Sequence, residues 1–217
     1  MDQILLDMLG EAARALQAPL TERALRLFSI YCEELAFWNG KMNLVGTDSP
    51  RDIVIRHFID SLTPVPFIVN PEGRLLDIGS GGGFPGIPLK IAIPSLRIAL
   101  LESSRKKSSF LKHMIRRLKF SQAQVIHART EAAMRDASLG SAFETVISRA
   151  AFKLPKLLET AHYFLAPHGR LIAMKGPNFR QESETADIPE LVFQACHSVT
   201  VPFSHRHRNI LIYQKDI

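Results

Sequence analysis

Apolar positions in the first 68 residues recur every three or four, and from Arg74 onward they gather into short continuous runs. Leu5, Met8, Leu9, Ala12 and Leu16 fall on one helical face, and Pro19 ends that helix. Thr21 caps a second helix with Leu25, Phe28, Cys32, Leu35 and Ala36 as its apolar stripe; Asn39-Gly40 is its expected end. Ser49-Pro50-Arg51-Asp52 combines a capping hydroxyl, a first-turn proline and an acid three residues after the cap. The helix it opens carries Arg56, His57 and Asp60, and must stop before Pro64.

Apolar runs at 75–78, 96–101, 123–127, 143–148 and 170–174 are candidate strands. Helical stretches at 86–92, 105–118, 130–135 and 153–165 lie between them. Strand and helix in alternation predict a parallel sheet with helices on both faces. After Lys175 the rhythm changes. Pro177-Asn-Phe-Arg-Gln-Glu is a helix start, and 191–201 with 209–214 form an antiparallel hairpin that closes the sheet. Only Val69-Asn-Pro-Glu-Gly73 separates the two parts, too little for a linker. The expectation is a helical cap over residues 1–68 packed on an α/β domain over 69–217, as one compact unit.

The densest chemical signal is Asp77-Ile-Gly79-Ser80-Gly81-Gly-Gly83-Phe84-Pro-Gly86 at the end of the first strand. Strand, glycine turn and helix in that order form a ligand crevice of a doubly wound sheet, where backbone approaches the ligand without a Cβ in the way. Gly81, Gly83 and Gly86 also satisfy the dinucleotide pattern. A pyrophosphate there would meet the Asp77 carboxylate. S-adenosylmethionine has no phosphate; its cationic end suits Asp77, and its carboxylate suits the free N–H groups of the following helix. Glu102, closing the second apolar run, can accept ribose hydroxyls of either ligand. Asp77, Gly79, Ser80, Gly81, Gly83 and Glu102 are therefore candidate cofactor residues.

Composition narrows the class. The chain has 217 residues, 46% of them hydrophobic, as in an ordinary globular domain. No apolar stretch approaches the roughly 18 residues of a membrane helix. Acids rather than bases mark the first residues, against a secretion signal, so a cytoplasmic location is expected. Cys32 and Cys196 sit outside metal spacing and read as buried thiols, with no metal expected. The net charge of +6 points to an acidic partner. Its basic clusters are Arg105-Lys106-Lys107 with Lys112, Arg116, Arg117 and Lys119, and His205-Arg206-His207-Arg208. Such stripes suit phosphate backbones, although the first is also the solvated face of an amphipathic helix.

Further segments carry a resemblance: Trp38-Asn39 with Met42-Asn43-Leu44; Arg56-His57-Phe-Ile-Asp60-Ser61; the run from Asp77 to Leu89; Ser148-Arg149-Ala150; Met174-Lys175-Gly176; and Arg206. Together they resemble the bacterial 16S rRNA guanine-N7 methyltransferases, also called glucose-inhibited division protein B. The chain departs from the common pattern in Glu102 for Asp, in Gly82 for proline, and in His207-Arg208 after Arg206. The resemblance implies a Rossmann-like class I S-adenosylmethionine-dependent methyltransferase fold, with a seven-stranded mostly parallel sheet under the N-terminal cap. It implies methyl transfer from S-adenosylmethionine to guanine N7 in the 530 loop of 16S rRNA (nucleotide 527). It adds Phe84, Thr130, Glu131 and Arg149 to the cofactor residues. The partner it implies is 16S rRNA or a small-subunit precursor, with no membrane and a monomeric protein.

Guanine N7 has an in-plane lone pair and no proton, so in-line attack needs no general base. The chain fits that expectation, with Ser148-Arg149-Ala150-Ala151-Phe152 after the fourth strand instead of an Asn-Pro-Pro-Tyr-type segment, and no cysteine nucleophile there. Positioning candidates are Arg149, Lys175 and His57; His57 also reads as a helix-face histidine bonded to a loop. Arg56, Arg105, Lys106, Lys107, Arg129, Lys175 and Arg206 are candidate RNA contacts, with Arg129 facing either phosphate or solvent. Phe84 or Phe152 either stacks on the base or packs in the core. The competing functions are a methyltransferase for another RNA, a non-catalytic RNA-binding protein on the same fold, and an NAD-dependent reductase.

Overall fold

The computed structural model describes residues 1–47, 49–149, 151–179, 181 and 188–216. Helix α1 (Gln3–Ala15) starts where the Asp2 carboxylate accepts the Leu5 N–H, and α2 (Glu22–Met42) where the Thr21 hydroxyl accepts that of Ala24. Asn39-Gly40 does not end α2. The helix runs to Met42, and Asn43 supplies the left-handed cap at φ 50°. Asn39 is turned inward instead: its Oδ1 accepts the Val45 N–H at 2.8 Å and its Nδ2 donates to the Thr47 carbonyl at 3.2 Å. The side chain read as a stop signal pins the following loop.

The segment capped by Ser49 winds as α3 (Pro50–Ile53), a π-helical stretch (Val54–Ile59) and α4 (Asp60–Leu62), stopping before Pro64 as expected. Apolar spacing carries no signal for the π stretch, which is local widening of one helix. A 3-10 turn (Val65–Phe67) leads to the sheet.

Strands β1 (Arg74–Ile78), β2 (Arg97–Glu102), β3 (Ala123–His127), β4 (Phe143–Arg149) and β5 (Leu165–Lys175) lie where the apolar runs predicted them, except that β5 begins five residues early, directly after its helix. The helices between them are α5 (Gly86–Ala92), α6 (Arg105–Arg117), α7 (Thr130–Ala133) and α8 (Leu154–Phe164). β6 (Leu191–Thr200) and β7 (His207–Lys215) form the hairpin. The sheet order is β3-β2-β1-β4-β5-β7-β6; β1 to β5 are parallel, and β7 is antiparallel to β5 and β6. This is the expected seven-stranded, mostly parallel architecture. Ala150, and Arg180 and Glu182 of the expected helix start, lie outside the described residues; of that start a 3-10 turn (Pro177–Phe179) is described.

Alternation along each strand divides the core in two. Leu75, Ile98, Leu100, Ile147 and Ile172 face α1, α2, α5 and α6, while Leu76, Ala99, Leu101, Val146 and Leu171 face α8. The N-terminal helices thus share a core with the sheet. Tyr31 of α2 donates to the Gly82 carbonyl at 2.5 Å and stacks on Phe58 and Phe84. Cys32 is buried, but Cys196 is exposed, contrary to expectation, because β6 is the sheet edge. Among the described residues, no helix is long and apolar enough to cross a membrane.

Trp38, the only tryptophan, sits on α2 against Phe110 of α6 and reports the junction between cap and sheet. Its fluorescence and the far-ultraviolet circular dichroism are expected to follow one coincident denaturant transition. Two separated midpoints would make the cap an independent unit.

Candidate active site

The glycine turn leaves β1 at its C-terminal end. Gly79 and Ser80 both donate backbone N–H to the Leu101 carbonyl, and the Ser80 hydroxyl returns to the Asp77 carbonyl at 2.9 Å. These bonds tie the turn to β2. A Cβ on Gly83 would come within 2.5 Å of Ile87 and 2.7 Å of the Tyr31 hydroxyl, and one on Gly86 would strike Leu100 and Asp77. Close internal packing explains both. Gly81 is different. At φ +58°, a Cβ there would have nothing nearer than the Gly79 carbonyl oxygen at 3.9 Å. Among the described residues no other atom lies within 4 Å of that Cβ position. The Gly81 N–H is held by Glu102 Oε2 at 2.8 Å, and Glu102 Oε1 accepts the Ser104 N–H at 2.7 Å. A carboxylate has about four lone-pair sites, so Glu102 keeps capacity for two hydroxyl donors. Thr130 is buried at the start of α7, with Glu131 and Arg129 exposed beside it.

Asp77 does not open into the crevice. It is fully buried, and its Oδ2 accepts the Gly86 N–H at 3.0 Å. The N–H groups of Ile87 and Leu89 go to the Gly83 and Pro85 carbonyls. The first turn of α5 therefore offers no free donors for a cofactor carboxylate, because the strand-end acid has taken the place expected for the ligand. Asp77 Oδ1 has no partner among the described residues. Burial pushes the Asp77 carboxyl up to about 7, against the lowering effect of the Gly86 hydrogen bond.

Beside the turn lies a cleft of about 360 Å³ whose lining includes Thr47, Arg56, His57, Asp60, Arg149, Arg206 and Arg208. Asp60 is its organising group. Arg208 donates to both Asp60 oxygens, at 2.8 and 2.7 Å, and Arg149 Nη1 reaches Oδ2 at 3.0 Å. Arg149 also donates to the Arg56 carbonyl at 3.1 Å and to His57 Nδ1 at 3.0 Å, and lies over the Phe84 ring. A guanidinium only donates, so His57 Nδ1 accepts and the ring proton sits on Nε2. Burial, then the Arg149 charge, hold His57 down at about 4, despite Asp60. Four arginines and one carboxylate line the cleft, so it carries net positive charge at neutral pH.

Other expected residues fall less simply. Phe84 is buried, stacked on His57 and Tyr31, so it packs in the core rather than offering a face to a base. Lys175 is buried, and its Nζ donates to the Phe152 carbonyl at 2.7 Å, at the rim of a second hollow that also contains Arg208. Arg105 and Lys106 are exposed and Lys107 half-buried in the first turn of α6, where the helix dipole disfavours cations and no acid is present. Periodicity gave no role to Asp60 or Arg208; the spacing Arg56-His57-x-x-Asp60 was the available signal for the first. Among the described residues, no group of three or more His, Cys, Asp or Glu could hold a metal ion.

The sheet order, with a glycine turn after β1 and an acid ending β2, defines a class I methyltransferase fold. An O-methyltransferase from Bacillus cereus in complex with SAH has the same fold at TM-score 0.59 and 18% identity, covering 86% of this chain and 90% of that one. TrmN from Thermus thermophilus matches at TM-score 0.58 and 13% identity, covering 75% of this chain and 53% of that one. The family model described as rRNA small subunit methyltransferase G matches residues 24–211. Ribosomal RNA small subunit methyltransferase G from Syntrophus aciditrophicus is 44% identical over 212 residues, covering 95% of this chain and 88% of that protein. The protein of that name from Desulfitobacterium hafniense is 40% identical over 177 residues, covering 81% and 73%. The chain belongs to the rRNA small subunit methyltransferase G family.

The raised Asp77 pKa fixes a sign. Between about 4 and 7 the native state binds a proton that the unfolded state has released, so stability falls as pH rises through that window. Asp77→Asn is expected to be more stable than the parent at pH 8 by a few kcal/mol, with a smaller gain at pH 5. Denaturant titrations at the two pH values check this, and equal differences at both would contradict it. His57 has the opposite sign: below pH 6.5 the unfolded state takes up a proton that the native ring refuses down to about 4. His57→Gln is therefore expected to lose less stability than the parent on acidification from pH 6.5 to 4.

Proposed function

We propose that this chain methylates N7 of a guanine in the 530 loop of 16S rRNA, at nucleotide 527, without a general base. The observation that carries the reading is the open side of Gly81 beside Glu102, joined through the buried Phe84 ring to a cleft of four arginines. S-adenosylmethionine supplies the methyl group.

The residues present fit that cofactor. Glu102 would accept the ribose hydroxyls. Gly79, Ser80, Gly81 and Gly83 shape the turn around it, with Thr130 and Glu131 at its far side. Asp77 acts from behind: its carboxyl holds the turn to α5 by accepting the Gly86 N–H. Arg149 touches both parts, so it positions either cofactor or rRNA.

The cleft fits an RNA partner for electrostatic reasons. Arg56, Arg149, Arg206 and Arg208 present guanidinium donors suited to phosphate oxygens. Arg105, Lys106 and Lys107 extend the basic surface from the end of β2, in a helical turn whose dipole works against them. Cations placed against that local preference fit a partner of opposite charge. Lys175 and Phe152 line the neighbouring hollow, where the target base would sit.

Base-free chemistry fits His57. Its Nδ1 is occupied by Arg149, and its ring stays neutral and half-buried above about pH 5. Catalysis would then rest on alignment of acceptor and donor, worth up to about 7–11 kcal/mol. Single-turnover rates at saturating cofactor are expected to be flat from about pH 6 to 9. An ionisation in that range, removed by His57→Gln, would make His57 a base. The identity of the target is tested by mass mapping of methylated nucleosides in rRNA from cells with and without the protein. Loss of one N7-methylguanosine from the 530 loop is expected; loss of a methyl group elsewhere overturns the assignment.

A further inference from the structure

At the opposite end of the sheet, β1 and β2 begin with Arg74 and Arg97, which are partners in the parallel register. Register partners in neighbouring parallel strands project to the same side, with the strands only about 4.8 Å apart. The two arginines therefore leave the same side of the sheet at the N-terminal ends of the strands, away from the glycine turn and the arginine cleft. Between them and β3 is a hollow of about 290 Å³ with Gln122, Gln124, Ala99 and Phe143 in its wall. Ala99, a small residue of β2, lies in the wall of the hollow.

The two arginines and the two glutamines of this hollow are all exposed, so their polar ends are open to a ligand from solvent. Among the described residues, neither arginine side chain makes a hydrogen bond or ion pair, and neither do the amides of Gln122 and Gln124. Glu144, next to Phe143, is held by Asn70 Nδ2 at 2.6 Å. The cleft above provides a contrast within one molecule: where Arg149 and Arg208 converge, Asp60 lies between them. Below, Arg74 lies over the Phe143 ring, with its Cζ 5.0 Å from the ring centroid. A guanidinium over a ring keeps N–H groups that can still donate to an anion.

We propose that this hollow is a second anion site that takes the phosphate of a nucleotide, either free or within an RNA chain. Arg74 and Arg97 would donate in forked pairs to phosphate oxygens, and Gln122 and Gln124 would meet the remaining polar atoms. Where the nucleotide belongs to rRNA, the proposal rests on the rRNA reading above and gives the RNA a contact on the far end of the sheet.

The test compares the full-length parent with the double variant Arg74→Gln, Arg97→Gln. The first probe is guanosine monophosphate followed by calorimetry; the second is a 16S rRNA fragment containing the 530 loop, titrated at several salt concentrations. Unchanged S-adenosylmethionine affinity shows that the variant is folded. A free nucleotide site predicts that guanosine monophosphate binding weakens at least about tenfold. An RNA phosphate site predicts that the slope of log affinity against log salt falls by about 1–2. If the double variant changes neither nucleotide affinity nor the salt slope, the proposal is overturned. Failure of the rRNA reading is seen separately, as a missing methyl group outside the 530 loop, and leaves the nucleotide probe standing.

Discussion

Asp60 holds the site together. Its carboxylate is almost wholly buried, and it receives Arg149 from the end of β4 and Arg208 from the start of β7. Three stretches far apart in sequence meet there. Removing one partner of such a buried pair typically costs roughly 3–5 kcal/mol, because a desolvated charge is left behind. The pair also decides chemistry. Arg149, held by Asp60 and the Arg56 carbonyl, lies against His57 and adds to the burial that keeps that ring neutral. The π-helical stretch places the Arg56 carbonyl and His57 Nδ1 within reach of one guanidinium. One carboxylate thus orients the arginines and fastens the helical cap to the sheet.

The glycine turn shows the opposite balance. Asp77 is buried with one oxygen unpartnered, at a cost in stability above neutral pH. Gly83 and Gly86 are glycines because their neighbours leave no room, whereas Gly81 is open. Residues that weaken the fold cluster where a ligand is expected, as they do in sites shaped for binding rather than for stability.

Local pattern carried most of the fold. Strands and helices followed apolar runs and caps because each run buries one face against the sheet. What it missed depends on distant contacts. Asn39 looked like a helix stop and proved to be a loop anchor. Asp77 looked like a ligand group, yet its side chain caps α5 from below, a direction that spacing does not encode. Lys175 looked like a phosphate contact and donates to the Phe152 carbonyl instead. Cys196 was expected to be buried, but sheet order puts β6 at the edge. Asp60 and Arg208 were visible as residues, but their pairing spans most of the chain. The register that sets Arg74 beside Arg97 is likewise a property of the sheet and not of either strand.

The central claim is that Asp60 holds the arginines in the geometry that brings rRNA to the cofactor turn. Asp60→Asn tests it most directly, because it removes the charge and keeps an acceptor. The account predicts S-adenosylmethionine affinity within about threefold of the parent, and a single-turnover methyl transfer to 16S rRNA slower by about a hundredfold or more, since small misplacement is amplified in rate. Transfer at the parent rate with intact cofactor binding would contradict it.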